Sequence, residues 1–158
     1  MSDVLSFYSA HGPHGFLSNF SPHGVFLDAR YWPTVEHFYQ AQKFAGSAYM
    51  EKVRLAKSPN HAKSLGRRRD WPLRADWEEV KVAVMRRAVL RKFWTHPAIR
   101  AGLLATGDLL LVENAPDDYF WGCGADGSGR NMLGIILMEV RAALRLQAAA
   151  GSEIHGGH

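Results

Sequence analysis

Trp32-Pro33-Thr34-Val35-Glu36-His37-Phe38-Tyr39-Gln40-Ala41-Gln42-Lys43-Phe44, residues 32–44, is the stretch on which the reading of this chain turns. Thr34 follows a proline and has a side chain suited to accept from the free amides of a helix start, so a helix is predicted from there to about Ala45, with Gly46 stopping it. Glu36 and Lys43 stand seven positions apart on that helix. Seven residues is close to two turns, which leaves the two side chains about 20° apart around the axis and roughly 10 Å apart along it. Gln40 falls between them, and Trp32, Phe38, Tyr39 and Phe44 crowd the same segment. A carboxylate and an amine among aromatic rings can stabilise a developing sugar cation or trap a sugar aldehyde. The helix dipole at the N-terminal end, and Lys43 if it came close, would favour an ionised Glu36, the form an oxocarbenium-like transition state needs. The same spacing also describes an ordinary solvated helix face.

Outward from this helix, short strands are expected over 6–9 and 25–31, with Asp28-Ala29 able to turn a hairpin between Leu27 and Arg30. Ser47 suits the cap of a second helix to about Lys57. Ser58-Pro59 reads as cap and first residue of a third, ended by Gly66. Asp76-Trp77-Glu78-Glu79 opens the longest helix, to about Trp94, with Val80, Val84, Ala88 and Arg91 on one side. Thr95-His96-Pro97 begins another, to about Ala105. A buried strand is expected over 109–113, then a glycine-rich loop over 114–130. Asn131 is expected to cap a last helix, to about Gln147. Strands and helices do not alternate, so the expectation is an α+β fold, mostly helical, with a few short strands. It forms a single domain over 1–147, followed by a flexible tail over 148–158.

The composition fits such a domain: 158 residues, 47% hydrophobic and 22% charged. No apolar run is long enough to span a membrane, and the first residues lack the pattern of a signal peptide. The single cysteine, Cys123, excludes an internal disulfide framework and suits a reducing, cytoplasmic setting. The net charge is +4, and 13 of the 19 basic residues are arginine. That balance suits an anionic partner such as a phosphorylated metabolite, nucleotide or nucleic acid, and equally plain solubility. Eight histidines form no metal-binding spacing, so neither metal nor other cofactor is expected. The sequence carries no signal of oligomeric state.

Further candidates lie in loops. Asp117 and Asp118 precede Tyr119-Phe120-Trp121. A carboxylate there could orient water or ribose hydroxyls and Trp121 could stack on a base, or the pair could be a turn aspartate and a core tryptophan. Gly122 to Gly127 matches G-x-G-x-x-G but lacks the strand–turn–helix context of a dinucleotide site. What remains is backbone that can approach a ligand, with the next helix's amides available to an anion. Arg67-Arg68-Arg69 could clamp phosphate or complement a helix C-terminus. No base is fixed near Cys123 by spacing, so it is expected to be an incidental thiol.

Taken in order, several segments resemble the YbiA-like, or NADAR, family. They are Phe7-Tyr8, Phe16-Leu17-Ser18-Asn19-Phe20, Trp32 to His37, Gln40 to Phe44, Leu65-Gly66-Arg67, Leu73 to Trp77, Lys81 with Met85, Leu104 to Asp108, and Leu111 to Glu113. Asp118, Trp121-Gly122, Gly124, Gly127, Gly129, Asn131 and Leu133-Gly134 complete them. The resemblance spans about residues 6–146. It implies a largely helical domain that cleaves N-glycosidic bonds, either of ribosylamino-pyrimidine phosphates from early riboflavin synthesis or of ADP-ribose on guanine, the latter including nucleic-acid substrates. It implies catalytic roles for Glu36, Lys43 and Asp118, and substrate contacts from Asn19, Phe20, Tyr39, Gln40, Arg67, Trp121, Gly122 and Asn131. Some members carry an acidic residue where this chain has Cys123, so that role does not transfer. The rivals are a module that binds ADP-ribose or a nucleotide without cleaving it, and a nucleic-acid adaptor using the arginine run.

Overall fold

Capping and turn chemistry place most of the elements. The structure is a computed structural model and describes residues 3–156. In chain order the elements are β1 (Val4–Phe7), a 3-10 helix (Gly15–Leu17), β2 (Val25–Leu27), β3 (Arg30–Trp32), α1 (Val35–Gln42), α2 (Ala48–Arg54), α3 (Pro59–Arg67), α4 (Trp77–Thr95), α5 (Pro97–Ala105), β4 (Leu110–Glu113) and α6 (Met132–Gly156). This is the expected α+β, mostly helical chain. Among the described residues no helix is long and apolar enough to cross a membrane. The chain divides into two compact units, one from Ser9 to Thr95, the other joining the residues up to Tyr8 with those from His96 onward.

In the first unit, β2 and β3 form the antiparallel hairpin, with Leu27 opposite Arg30. Asp28 and Ala29 hold φ of 55° and 60°, the left-handed pair that a two-residue hairpin turn needs to match strand twist. Trp32 Nε1 donates to the Leu27 carbonyl at 3.0 Å, and its ring meets Phe38 edge-on at 5.1 Å. Thr34 caps α1 by accepting from the His37 amide, and Ser58 caps α3 by accepting from His61. Ser47 makes no such cap on α2; its hydroxyl donates to the Phe44 carbonyl.

Two further expectations fail in this unit. Gly66 does not end α3 but lies inside its last turn, where a Cβ would stand 2.0 Å from Gln40 Oε1. The glycine serves close approach to α1 rather than a left-handed stop. The α4 core face is also not the one read from Val80, Val84 and Arg91. Trp77, Met85, Ala88, Val89, Lys92 and Phe93 are buried, while Arg91 is exposed. A lysine in that face hid it from a pattern built on apolar residues.

In the second unit β1 pairs with β4 in parallel, Val4 opposite Leu110. Only Leu111 of β4 is buried and Leu110 is half exposed, so the strand is less enclosed than expected. Leu103, Leu111, Leu133, Ile136 and Leu137 form the core. Helix α6 continues to Gly156, through most of the segment expected to be a tail. Once a helix is propagating, Ala148-Ala149-Ala150 extends it at little cost. Residues 157 and 158 lie outside the described residues.

Candidate functional site

Every residue of α1 is buried. Glu36 and Lys43 are 6% and 7% exposed, which removes the solvated-stripe reading. Thr34 fixes where the helix starts, and Glu36 occupies its first turn, where amides have no intrahelical acceptor. The Glu36 amide finds one outside the helix, the Asn19 carbonyl at 3.1 Å. Its side chain is held by Gln40, whose Nε2 donates to Oε1 at 2.8 Å. The opposite end of that amide, Gln40 Oε1, is buried with no hydrogen-bond partner among the described residues.

Burial, not the helix dipole, governs Glu36. Desolvation raises its pKa above the usual carboxylate value, against the Gln40 hydrogen bond and the nearby charges of Lys63, Lys43 and Arg67. The expectation of a carboxylate held ionised is therefore corrected: the site favours a protonated Glu36 more than water does. Lys43 moves in the complementary direction. Desolvation, then the Arg69 charge, lowers its pKa to about 8, while Glu36 opposes the shift and Arg67 and Lys81 add to it. Its Nζ lies 3.4 Å from the Gly66 carbonyl and 5.6 Å from the Tyr39 ring centroid. Tyr39 in turn packs on Trp77 at 5.2 Å.

Cations surround this pair. Lys63 lies 5.8 Å from the Phe20 ring, and with exposed Arg67 it projects from α3. Lys63 was not among the expected site residues, although its i, i+4 spacing from Arg67 places both on one helix face. The arginine run divides its work. Arg69 donates to the Gly66 carbonyl at 2.9 Å, the helix-end role; Arg68 pairs with Asp70 at 2.7 Å. Asn19 and Phe20 sit half-buried beside the first turn of α1, Asn19 Nδ2 reaching Met85 Sδ at 3.5 Å.

The other candidates belong to the second unit. Asp118 Oδ1 accepts from the amides of Phe120 at 3.0 Å and Trp121 at 2.8 Å, as a turn aspartate does. Trp121 is buried with its ring edge-on to Phe120 at 4.8 Å. Gly122 is buried where a Cβ would lie 2.8 Å from that of Ala115. Asn131 does not cap α6 with its side chain. At φ 51° it turns back to β4, its Oδ1 accepting from the Glu113 amide and its Nδ2 donating to the Leu111 carbonyl. Nor does the start of α6 offer amides to an anion, because those of Asn131, Met132 and Leu133 donate to the carbonyls of Gly122, Phe120 and Trp121. Cys123 is half-buried, its Sγ 3.5 Å from Asn114 Oδ1. Among the described residues no cluster of His, Cys, Asp or Glu is placed to hold a metal.

What this arrangement can do is move a proton and present an amine to an electrophilic carbon beside an anion-attracting rim. Comparison with known proteins places the chain in a family. The NADAR domain model matches residues 6–145, and the chain belongs to that family. A Nostoc punctiforme protein named as an N-glycosidase is 54% identical over 145 residues, covering 90% of this chain and 93% of that one. The NMR structure of the Escherichia coli protein YbiA matches with a TM-score of 0.86 at 44% identity, covering 94% of this chain and 89% of its own. A maize chloroplast protein, named as riboflavin biosynthesis protein PYRR, is 40% identical over 97% of this chain, which spans 27% of its length.

Proposed function

We propose that this chain is an N-glycosidase acting on a ribosylamino-pyrimidine phosphate, with Glu36 and Lys43 as its catalytic pair. The observation that carries the reading is a carboxyl group in the first turn of α1 and an amine at its C-cap, both buried and both shifted toward their neutral forms. Lys63, Arg67, Arg69 and Lys81 supply positive charge around them, which complements a substrate phosphate. The riboflavin name of the maize relative supports the pyrimidine substrate. A cytoplasmic setting fits the lone Cys123 thiol.

In the proposed route, Glu36 donates a proton as the ribose ring opens and the C1–N bond becomes an imine. Neutral Lys43 Nζ adds to C1, the base departs as its free amine, and a lysine imine remains. Water then adds to C1, releasing ribose phosphate and restoring Lys43, while Glu36 takes back a proton and is restored as the acid. At pH 7.5 a lysine of pKa about 8 is about one quarter neutral, against about a thousandth for an ordinary one. Direct water attack on an oxocarbenium-like centre is the competing route, and it calls for an ionised carboxylate that burial disfavours.

Borohydride added during turnover, followed by peptide mass spectrometry, tests the route. A reduced ribose phosphate adduct on Lys43 is expected; an unmodified Lys43 in active enzyme rules the Schiff base out. Offering the pyrimidine riboside and ADP-ribosylated guanine in parallel tests the substrate class. Release of guanine alone would reassign it. A ligand-induced rise in melting temperature with neither base released would make the chain a binding module.

A further inference from the structure

Nothing in the sequence pattern singles out Lys92, yet it is 1% exposed near the end of α4. Its Nζ donates to the Phe16 carbonyl at 2.6 Å and the Ser18 carbonyl at 2.9 Å. Among the described residues no acidic side chain shifts its pKa; burial does. A buried lysine ordinarily pairs with a carboxylate. Here the partners are two main-chain oxygens at the end of the Gly15–Leu17 3-10 helix, of which that of Ser18 also accepts from the Ser21 amide at 3.1 Å.

The segment those carbonyls belong to is part of the site. Directly after Ser18, the Asn19 carbonyl accepts the Glu36 amide at 3.1 Å. The Phe20 amide bonds back to Ser18 Oγ at 3.1 Å, and the Phe20 ring faces Lys63 at 5.8 Å. Met85, almost two turns before Lys92 on α4, meets Asn19 Nδ2 at 3.5 Å. The segment is therefore fastened to α4 at two points and to the first turn of α1 at a third. Lys92 Nζ alone supplies side-chain donors to two main-chain carbonyls of this segment, and an amine keeps both bonds whether or not it carries the third proton.

We propose that Lys92 is a positioning residue for the glycosidase reaction: it holds the Phe16 and Ser18 carbonyls so that Asn19 and Phe20 are set against Glu36. It touches neither Glu36 nor substrate. The proposal rests on the assignment of Glu36 as catalytic. Without the Lys92 amine, both carbonyls lose a buried donor and the segment shifts. The Asn19 carbonyl then no longer receives the Glu36 amide in the same place. A misplacement of about 1 Å, away from the chemistry, can lower a rate by about a hundredfold.

The test compares Lys92→Met, which keeps length and volume but has no donor, with Val89→Ala, a cavity variant on the same helix that bonds neither carbonyl. Both are assayed on a ribosylamino-pyrimidine phosphate well below their melting temperatures, with Glu36→Gln alongside. Lys92→Met is expected to lose about tenfold or more in kcat/KM per folded molecule, with faster hydrogen exchange at the Glu36 amide. Val89→Ala is expected to keep wild-type turnover at comparable loss of stability. Wild-type kcat/KM in Lys92→Met, or equal losses in the two variants, would overturn the proposal. If Lys92→Met does not fold, Lys92→Gln, which retains one donor group, takes its place in the same assays, and the same results support or overturn the proposal. An active Glu36→Gln would instead bring down the catalytic assignment itself, whatever Lys92→Met does.

Discussion

At the residue scale, the chemistry depends on the protonation state of Lys43, and its titration is directly measurable. Reductive methylation with formaldehyde, followed at each lysine by mass spectrometry across a range from about pH 6 to about pH 10, is expected to show half-maximal labelling of Lys43 near pH 8, as its pKa of about 8 requires. Its rate should plateau above that pH, while exposed lysines keep gaining toward the end of the range. A Lys43 that follows the exposed lysines is an ordinary ammonium, and the imine route fails with it. Glu36→Gln and Lys43→Ala should each lower kcat/KM by about a hundredfold or more while the fold survives, which circular dichroism and a substrate assay together establish. The two residues are legible as a pair in the sequence because pairing them needs only the helix period. That all eight residues of α1 are buried is not legible. A helix enclosed on every side shows no polar face to identify, and burial reverses the sign of the Glu36 shift from the one its dipole position suggests. Lys92 is illegible for a related reason: nothing in a charged residue's identity reveals that two carbonyls wait for it.

At the element scale, capping and turn signals carry far. Thr34, Ser58 and the Asp28-Ala29 turn match expectation because each depends on residues within four positions of one another. Gly66 departs from it because its reason lies on another helix. A Cβ there would come within 2.0 Å of Gln40 Oε1 and 2.9 Å of Gln40 Cβ. Gln40 is only 4% exposed and has little room to retreat. Gly66→Ala is therefore expected to push Gln40 off Glu36 and to cost activity well beyond its effect on stability, which overpacking sets at about 1–3 kcal/mol. A steady-state assay beside a urea melt separates the two; unchanged kcat/KM would show that Gln40 has somewhere to go. The hairpin offers the opposite sign. Ala29 holds φ 60°, a conformation that disfavours a Cβ, so Ala29→Gly should raise stability by about 0.5–1 kcal/mol in the same melt.

At the scale of the whole chain, local signals fail where partners are distant in sequence. The parallel pairing of Val4 with Leu110 depends on strands from opposite ends of the sequence, and no period or cap announces it. The family pattern over residues 6–145 carries what local chemistry does not. The two buried lysines also leave a global mark. Burial lowers Lys43 to about 8 and Lys92 to about 7, from 10.5 in the unfolded chain. Between the folded and unfolded values the unfolded chain binds more protons, so stability rises with pH through that window instead of being flat. Each lysine should add on the order of 2 kcal/mol to the rise between about pH 7.5 and about pH 9.5, given one pKa unit per 1.36 kcal/mol. Urea unfolding at those two pH values, on wild type, Lys43→Met and Lys92→Met, measures each contribution as the loss of slope in the corresponding variant. A variant whose stability climbs in parallel with wild type identifies a lysine that stays fully charged in the folded chain. For Lys43 that outcome would also remove the neutral amine from the proposed reaction, so one equilibrium measurement bears on the fold and on the chemistry together.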